Sequence, residues 1–278
     1  MKNDLTWVLE KNIWNDDSYQ RLKESLFKQN INFIEIDLKD AYCYLNEICE
    51  KISDNVIFYG SLQVAEQIKM KTNWIPGVFY TRKHFDCSYY YPRLGDLLLN
   101  SDCYAMLPYG ELFRKKDFIF ENFGIKNTVF IRPNSGHKPF DGRLIYEEKY
   151  NEIENLTLKD LSPEELVVVS SPKNIIKEWR FVICEGEIIT GSAYKSCGFL
   201  EIEKSYTEEA YKLAEKTLKR YNPDPVWVCD VCETIHGEFY ILEVGCFSCA
   251  GMYDCDADII VKRISQKSIE KYLEICQD

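Results

Sequence analysis

The chain has 278 residues, 46% hydrophobic, 14% aromatic and 28% charged, a composition that allows a large buried core and, by length, about two domains. Its 45 acidic and 34 basic residues leave a formal charge of −11 with no basic block, which argues against a nucleic-acid backbone as its main partner. The twelve cysteines suggest disulfides if the chain is secreted, and metal, catalysis or plain burial if it is not.

The opening MKNDLTWVLEKNIWNDD meets a charge every few residues and offers no apolar secretory segment. No run approaches the roughly 20 apolar residues that span a bilayer. The expectation is a cytoplasmic protein with reduced thiols and no membrane partner. Thr6 to Leu9 is a short apolar run, and Tyr19, Leu22 and Leu26 follow at helical spacing. Asn32 to Leu38 alternates apolar and acidic residues, as a half-buried strand does, and Ala41 to Ile52 reads as helix. Asn55 to Tyr59 is another apolar run, ending at Gly60-Ser61 before a helical stretch to about Lys71. This β-α-β-α order implies a small parallel sheet. Trp74 to Gly110 reads as loop-rich, with Pro76-Gly77, Pro92 and Pro108 as breakers, and a domain boundary is placed near residue 100.

Beyond it, Thr128 to Ile131 is a strand that runs into Pro133 and the polar loop Asn134 to Gly142. Leu166 to Val169 is a strand that stops at Ser170-Ser171-Pro172, and Glu178 to Lys195 is two strands around a Glu-Gly-Glu turn. Ser205 with Glu208 reads as a capping box, and Tyr211, Ala214, Leu218 and Tyr221 as the buried stripe of the helix that follows. Val226 to Val244 is a second hairpin, turning at His236-Gly237, and an amphipathic helix runs from about Ala257 to Cys276. Hairpins mixed with helices predict an α+β unit, unlike the first hundred residues.

A two-residue loop at His236-Gly237 pairs Asp230 with Glu243 on one face. Cross-strand partners have Cβ atoms about 4.5–5.5 Å apart, where like charges repel. With Trp227, Val228, Val231, Ile241 and Leu242 around them, two facing carboxylates want a shared proton or a cation. Oxygen ligands suit Mg²⁺, which keeps waters and is shared with phosphates. A coincidental register, or one carboxylate paired at the surface, would give the same pattern. Glu178 and Arg180 share one strand face, opposite Trp179, Phe181 and Ile183. Such a pair suits a ribose hydroxyl and a phosphate or carboxylate, although an ordinary ion pair reads alike. The loop Asn134 to Gly142 has backbone N–H groups suited to wrapping phosphate, but most glycine loops are only connections. Cys229-Asp-Val-Cys232 and Cys246-Phe-Ser-Cys249 have zinc-like spacing. Residues three apart on a strand diverge, however, and the first pair has no turn glycine, so core filling is the preferred reading.

Taken in order, the segments VIFYGS, WIPGVFY, LGDLLLNSD, VFIRPNSG, EWRFVI and VCDVCETIHGEFYILEVGCFSCAGMYD resemble the ATP-grasp superfamily. They look most like the clade with arginine where most members carry a phosphate-binding lysine. The resemblance covers about residues 55–255 and implies an α/β N-terminal subdomain followed by an ATP-grasp fold, two α+β lobes clasping ATP. Residues 1–100 would form the first part and 101–278 the second, with a lid lobe over about 128–175 and a C-terminal lobe over about 176–278.

The resemblance implies ATP and Mg²⁺ as cofactors. It also implies ligase chemistry, in which a carboxylate takes the γ-phosphoryl group and an amine or thiol then displaces phosphate from the acyl phosphate. Arg132 would touch the α- and β-phosphates, and the loop carrying Ser135, Gly136 and Lys138 would cover the triphosphate. Val169, Ser170, Ser171 and Lys173 match the hinge against adenine, Glu178 the acid near ribose, and Lys195 a further phosphate contact. Arg180 is the candidate catalytic residue, holding the γ-phosphate or acyl phosphate; Asp230 and Glu243 match the metal carboxylates.

Gly245 stands where the family usually has a metal-binding Asn, so that ligand is missing or comes from Asp254 or Asp256. Val228 stands where related ligases carry an Arg. These departures keep a second reading open, a non-catalytic nucleotide-binding regulatory or interaction protein. The expected substrate is a small molecule or peptide, an amino acid or protein terminus included. The Trp74 to Gly110 segment is expected to help shape its pocket, with Tyr80, Arg82, Arg93 and the run Tyr89-Tyr90-Tyr91, although such aromatics serve as core or surface packing more often than as ligand contacts.

Overall fold

In the computed structural model, which describes residues 5–13, 17–150 and 162–277, the first apolar run is strand β1 (Thr6–Glu10). Every side chain of β1 is buried, as in a strand covered on both faces. Helix α1 (Ser18–Lys28) leads to β2 (Asn32–Ile36), α2 (Leu38–Cys43), α3 (Leu45–Cys49), β3 (Asn55–Tyr59), α4 (Leu62–Lys71) and β4 (Ile75–Gly77). The strands are parallel in the order β2-β1-β3-β4, the sheet that the β-α-β-α pattern implies. Two boundaries depart from the sequence reading. Asp37 and Asp40 form a reciprocal capping box, so β2 stops at Ile36 and helix begins at Leu38. The helix expected over Ala41 to Ile52 is split at Tyr44.

The segment from Trp74 to Gly110 is more ordered than its prolines suggest. It holds α5 (Cys87–Leu94), with Pro92 inside the helix, between 3-10 turns at Arg82–Phe85 and Gly95–Leu97. A proline inside a helix costs about 3 kcal/mol. Burial of Cys87, Tyr90, Tyr91 and Leu94 outweighs it.

The middle sheet starts with β5 (Tyr104–Pro108), continues through α6 (Tyr109–Arg114) and α7 (Lys116–Phe123) to β6 (Thr128–Pro133) and β7 (Arg143–Tyr146), and ends with β8 (Leu166–Ser170). Its order is β5-β8-β6-β7, with antiparallel pairing throughout. Residues 151–161 of the expected lid lobe lie outside the described residues. The third sheet comprises β9 (Ile175–Cys184), β10 (Glu187–Ser196), β11 (Phe199–Glu203), β12 (Val226–Thr234) and β13 (Phe239–Cys246), in the order β11-β10-β9-β12-β13. Helices α8 (Glu208–Arg220) and α9 (Ala257–Gln277) complete the chain.

The cap of α8 is Thr207, not Ser205: its hydroxyl accepts from the Ala210 N–H at 3.2 Å. The Ser205 carbonyl instead extends the pairing of β10 by accepting from Ala193 N–H. The helix therefore turns Ala210, Ala214 and Thr217 fully inward, and Tyr211 and Leu218 only partly.

The β12–β13 hairpin closes over Ile235, His236 and Gly237, with the Thr234 N–H donating to Glu238 O at 2.9 Å. That loop is one residue longer than the sequence reading. Val231 accordingly pairs with Ile241, but a bulge at Leu242 then shifts the register and sets Asp230 opposite Glu243.

The middle sheet has a core of its own, built on Leu112, Ile119, Val129, Ile131 and Val167. The other cores cross between sheets. One joins Val56 and Phe58 to Phe181 and Trp227; another joins Trp7 and Leu22 to Val182, Val261 and Ile264. Two buried hydrogen bonds tie α9 to the first sheet: Trp7 Nε1–H to Ser265 Oγ and Ser268 Oγ–H to Asn55 Oδ1, each 2.9 Å. Among the described residues, no helix is long and apolar enough to cross a membrane.

Candidate active site

Strand alternation on β9 sends Trp179, Phe181 and Ile183 into the core and Glu178 and Arg180 to the other face. Because β9 lies between β10 and β12, Arg180 is flanked by Ser192 and Asp230, and Glu178 by Lys195 and Cys232. Arg180 grips Asp230 bidentately, Nε to Oδ1 at 2.8 Å and Nη2 to Oδ2 at 2.7 Å, and Nη1 donates to Gly251 O at 2.8 Å. The guanidinium lies 4.9 Å from the centre of the Tyr253 ring, which stacks on Tyr194 at 4.4 Å. Burial raises the Tyr194 phenol well above its ordinary pKa, so it stays protonated and donates to Glu178 Oε2 at 2.6 Å. Lys195 stands 3.5 Å from the other oxygen of Glu178.

Glu243 is held by Arg132 of β6 at 3.2 Å and by Lys138 of the Asn134–Gly142 loop at 3.1 Å. Burial by itself raises the carboxyl pKa; Arg132 and Lys138 more than offset this and bring it down to about 2. A depressed carboxyl pKa contributes stability above its unfolded value, near 4.5, and loses it as pH falls toward 2. Urea melts of the wild type are expected to lose up to roughly 3 kcal/mol across that window from this group. Glu243→Gln should flatten the dependence, and an identical pH profile in the variant would show that Glu243 is not so held.

Glu243 lines one cavity, and its partner Arg132 lines another. A slot of about 340 Å³ lies between the middle and third sheets, with Phe130, Leu144 and Ile241 as apolar walls. It gathers Arg132, Ser171, Lys173, Glu178 and Lys195 from the residues named on sequence. A second cavity of about 500 Å³ gathers Gly136, Lys138, Arg180, Asp230 and Glu243, and is walled by Ser61 and Tyr80 of the N-terminal part. The loop Asn134–Gly142 reaches across it: His137 Nε2 lies 2.8 Å from Glu66 Oε1, and the Ser88 N–H donates to Asn134 Oδ1 at 2.6 Å.

Ser135, Val169 and Ser170 line neither cavity. Ser135 Oγ accepts from His137 N–H, Val169 is in the middle core, and Ser170 is wholly buried. Of the residues expected around a substrate, Tyr80 lines the larger cavity and Tyr91 the slot. Arg82 pairs with Glu66, Arg93 folds over the Tyr89 ring, and Tyr90 is core, so these four do not line either space.

Asp230 and Glu243 fit a hard cation that takes its remaining ligands from water and phosphate. Such an ion must replace Arg180 at Asp230 and compete with Arg132 and Lys138 at Glu243. Asp254 is paired with Arg21 at 3.5 Å and Asp256 with Lys204 at 3.1 Å. At Gly245 an added Cβ would come 3.2 Å from Val228 Cγ2, so an Asn there would require Val228 to yield. No group of three or more metal-ligating side chains occurs among the described residues.

All twelve cysteines are free thiols. Cys229 points into the core beside Phe181, whereas Cys232 pairs with Glu178 on the other face. Burial raises the pKa of both. Sequence reasoning missed Tyr194, because it is the bulged residue of β10, and gave no role to Asn100 and Tyr253, which lie outside strands within LGDLLLNSD and at the end of the last quoted segment.

Residues 114–262, just over half of the chain, match the family model described as ATP-grasp domain, R2K clade family 2. The chain belongs to this ATP-grasp family. No curated protein sequence matches it significantly. Among solved structures, the ATP-grasp chain is similar to D-cycloserine synthetase, with a TM-score of 0.66 and 12% identity over 95% of this chain and 99% of that one. It is similar to D-alanine–D-alanine ligase from Bacillus anthracis, with a TM-score of 0.62 and 13% identity over 98% of each chain. It is also similar to the ATP-grasp ligase PsnB complexed with a minimal precursor, with a TM-score of 0.58 and 13% identity over 96% of this chain and 99% of that one. At these identities the likeness shows the fold, which is the ATP-grasp architecture expected from the ordered motifs.

Proposed function

We propose that this ATP-grasp chain is an ATP-dependent carboxylate–amine or carboxylate–thiol ligase. On this reading residues 1–100 form the substrate-side domain and 101–278 the ATP-grasp unit. The observation that carries the reading is the junction at Glu243. Arg132, which lines the slot, reaches this carboxylate, while Glu243 itself and Lys138 line the larger cavity. A phosphoryl group leaving the slot would therefore enter the larger cavity between positively charged side chains.

There, a substrate carboxylate oxygen attacks the γ-phosphorus and ADP departs. An amine or thiol then attacks the acyl carbon, phosphate leaves, and the nucleophile gives up its proton. Glu178 and Lys195 suit the ribose and an adjacent phosphate, Arg132 and Lys138 the phosphate chain, and Arg180 the transferring group. Bound Mg²⁺, held by Asp230 and Glu243, would neutralise charge developing between the phosphates. The acceptor is proposed to be an amino acid, a peptide or a protein terminus.

The Arg180–Asp230 pair and the glycine at 245 favour a second reading, a nucleotide-binding regulatory protein on the same fold. ADP release separates the two. The ligase is expected to form ADP from Mg·ATP only when an amino-acid or peptide pool is supplied. Nucleotide binding with no ADP formation against any pool would sink the ligase and leave the regulatory protein.

A further inference from the structure

We infer that Asn100 reads the nucleobase and makes the slot selective for adenine over 6-oxopurines. The inference rests on the proposed use of the slot for ATP and adds to it the side chain that recognises the base. Asn100 lines the slot, is only 8% exposed, and its Oδ1 is buried with no hydrogen-bond partner among the described residues. Leaving a buried acceptor unpaired is unfavourable, so turning this carboxamide toward the slot its residue lines would let a ligand donor satisfy it.

The side chain is carried on a fixed backbone. The Leu99 N–H donates to Ile241 O at 3.0 Å, and the Cys103 N–H donates to Asn100 O at 3.1 Å. Leu98 bridges to the same Ile241. The carboxamide is thus held beside an apolar wall of the slot with little backbone entropy left to lose on binding.

The hinge offers few alternatives. Pro172 has no N–H, and the Ser171 N–H already donates to Cys103 O at 3.4 Å. The Lys173 ammonium is paired with Asp102 at 3.2 Å. Asn100 offers a base in the slot a further partner for its polar edge. A carboxamide presents an acceptor and a donor side by side. Along its N6–N7 edge adenine presents a donor beside an acceptor, the complementary pattern that Asn recognises bidentately. Hypoxanthine and guanine present two acceptors on that edge and would leave Oδ1 unpaired.

Calorimetric titration of the full chain with ATP, ITP and GTP tests this. The wild type is expected to bind ATP about tenfold tighter than ITP or GTP, within the range for one bidentate contact. Asn100→Leu keeps a similar volume without the hydrogen bonds. It should bring the ATP-to-ITP ratio to within about threefold by weakening ATP while leaving ITP nearly unchanged. Equal binding of ATP and ITP by the wild type, which needs no variant, overturns the inference and leaves the nucleotide site standing. An unchanged ratio in Asn100→Leu overturns it too, by assigning discrimination to another group. Failure of all three nucleotides to bind overturns both the inference and the proposed use of the slot.

Discussion

Arg180→Ala is expected to destabilise the protein by about 3–5 kcal/mol, the usual cost of removing one partner from a buried ion pair. Asp230 is only 4% exposed, and Arg180 is the cation that grips both its oxygens. Without the guanidinium the carboxylate keeps Tyr194 at 3.4 Å and its desolvation, but loses its counter-charge. Arg180→Lys should recover little, because a single ammonium cannot reproduce the fork. The paired change of Arg180 to Met and Asp230 to Leu should sit near wild-type stability, since it removes both charges together. Guanidinium melts at neutral pH measure all three. A loss below about 1 kcal/mol for Arg180→Ala would show the pair to be solvated and of the weak surface kind. The same pair sets a threshold for metal binding, because a cation can reach Asp230 only by displacing a bidentate partner.

Glu243→Gln should reduce ADP formation by about 10²–10³-fold if the chain is the proposed ligase, the usual effect of deleting one preorganised electrostatic group. The amide matches the carboxylate in shape but carries no charge for a cation. Nucleotide affinity should move the other way or not at all. Arg132 and Lys138 are Glu243's partners at 3.2 and 3.1 Å, and once relieved of it they attract phosphate more strongly. A fall in turnover with intact or tighter ATP binding is the signature of a group used in phosphoryl transfer rather than in holding the nucleotide. Turnover within threefold of wild type would remove Glu243 from the metal assignment.

Much of this architecture is written locally. The buried runs at β1 and β3 and the β-α-β-α order specify the first sheet, and the alternation on β9 separates Glu178 and Arg180 from the core. The pairing of Asp230 with Glu243 was legible for a mixed reason. The loop is one residue longer than its His236-Gly237 signal implies, and the bulge at Leu242 compensates. Non-local features were not legible. That β12 also pairs with β9 depends on the order of the third sheet, and this order puts Arg180 beside Asp230. From sequence alone the two residues have separate tasks, Arg180 at the phosphate and Asp230 at the metal. The helix through Pro92 was hidden because a local penalty is overridden by tertiary burial, and the cap at Thr207 because Ser205 two residues earlier carries the same signal.

The shared cores have a mechanical consequence. Residues near the two ends of the chain, Trp7 and Ile264, lie in one apolar cluster, and α9 is bolted to the first sheet through Ser265 and Ser268. The parallel sheet, which ends at Gly77, and the five-stranded sheet, which begins at Ile175, therefore share one chassis. Beside that chassis the middle sheet keeps a core of its own, and Val168 of β8 joins it to the shared core.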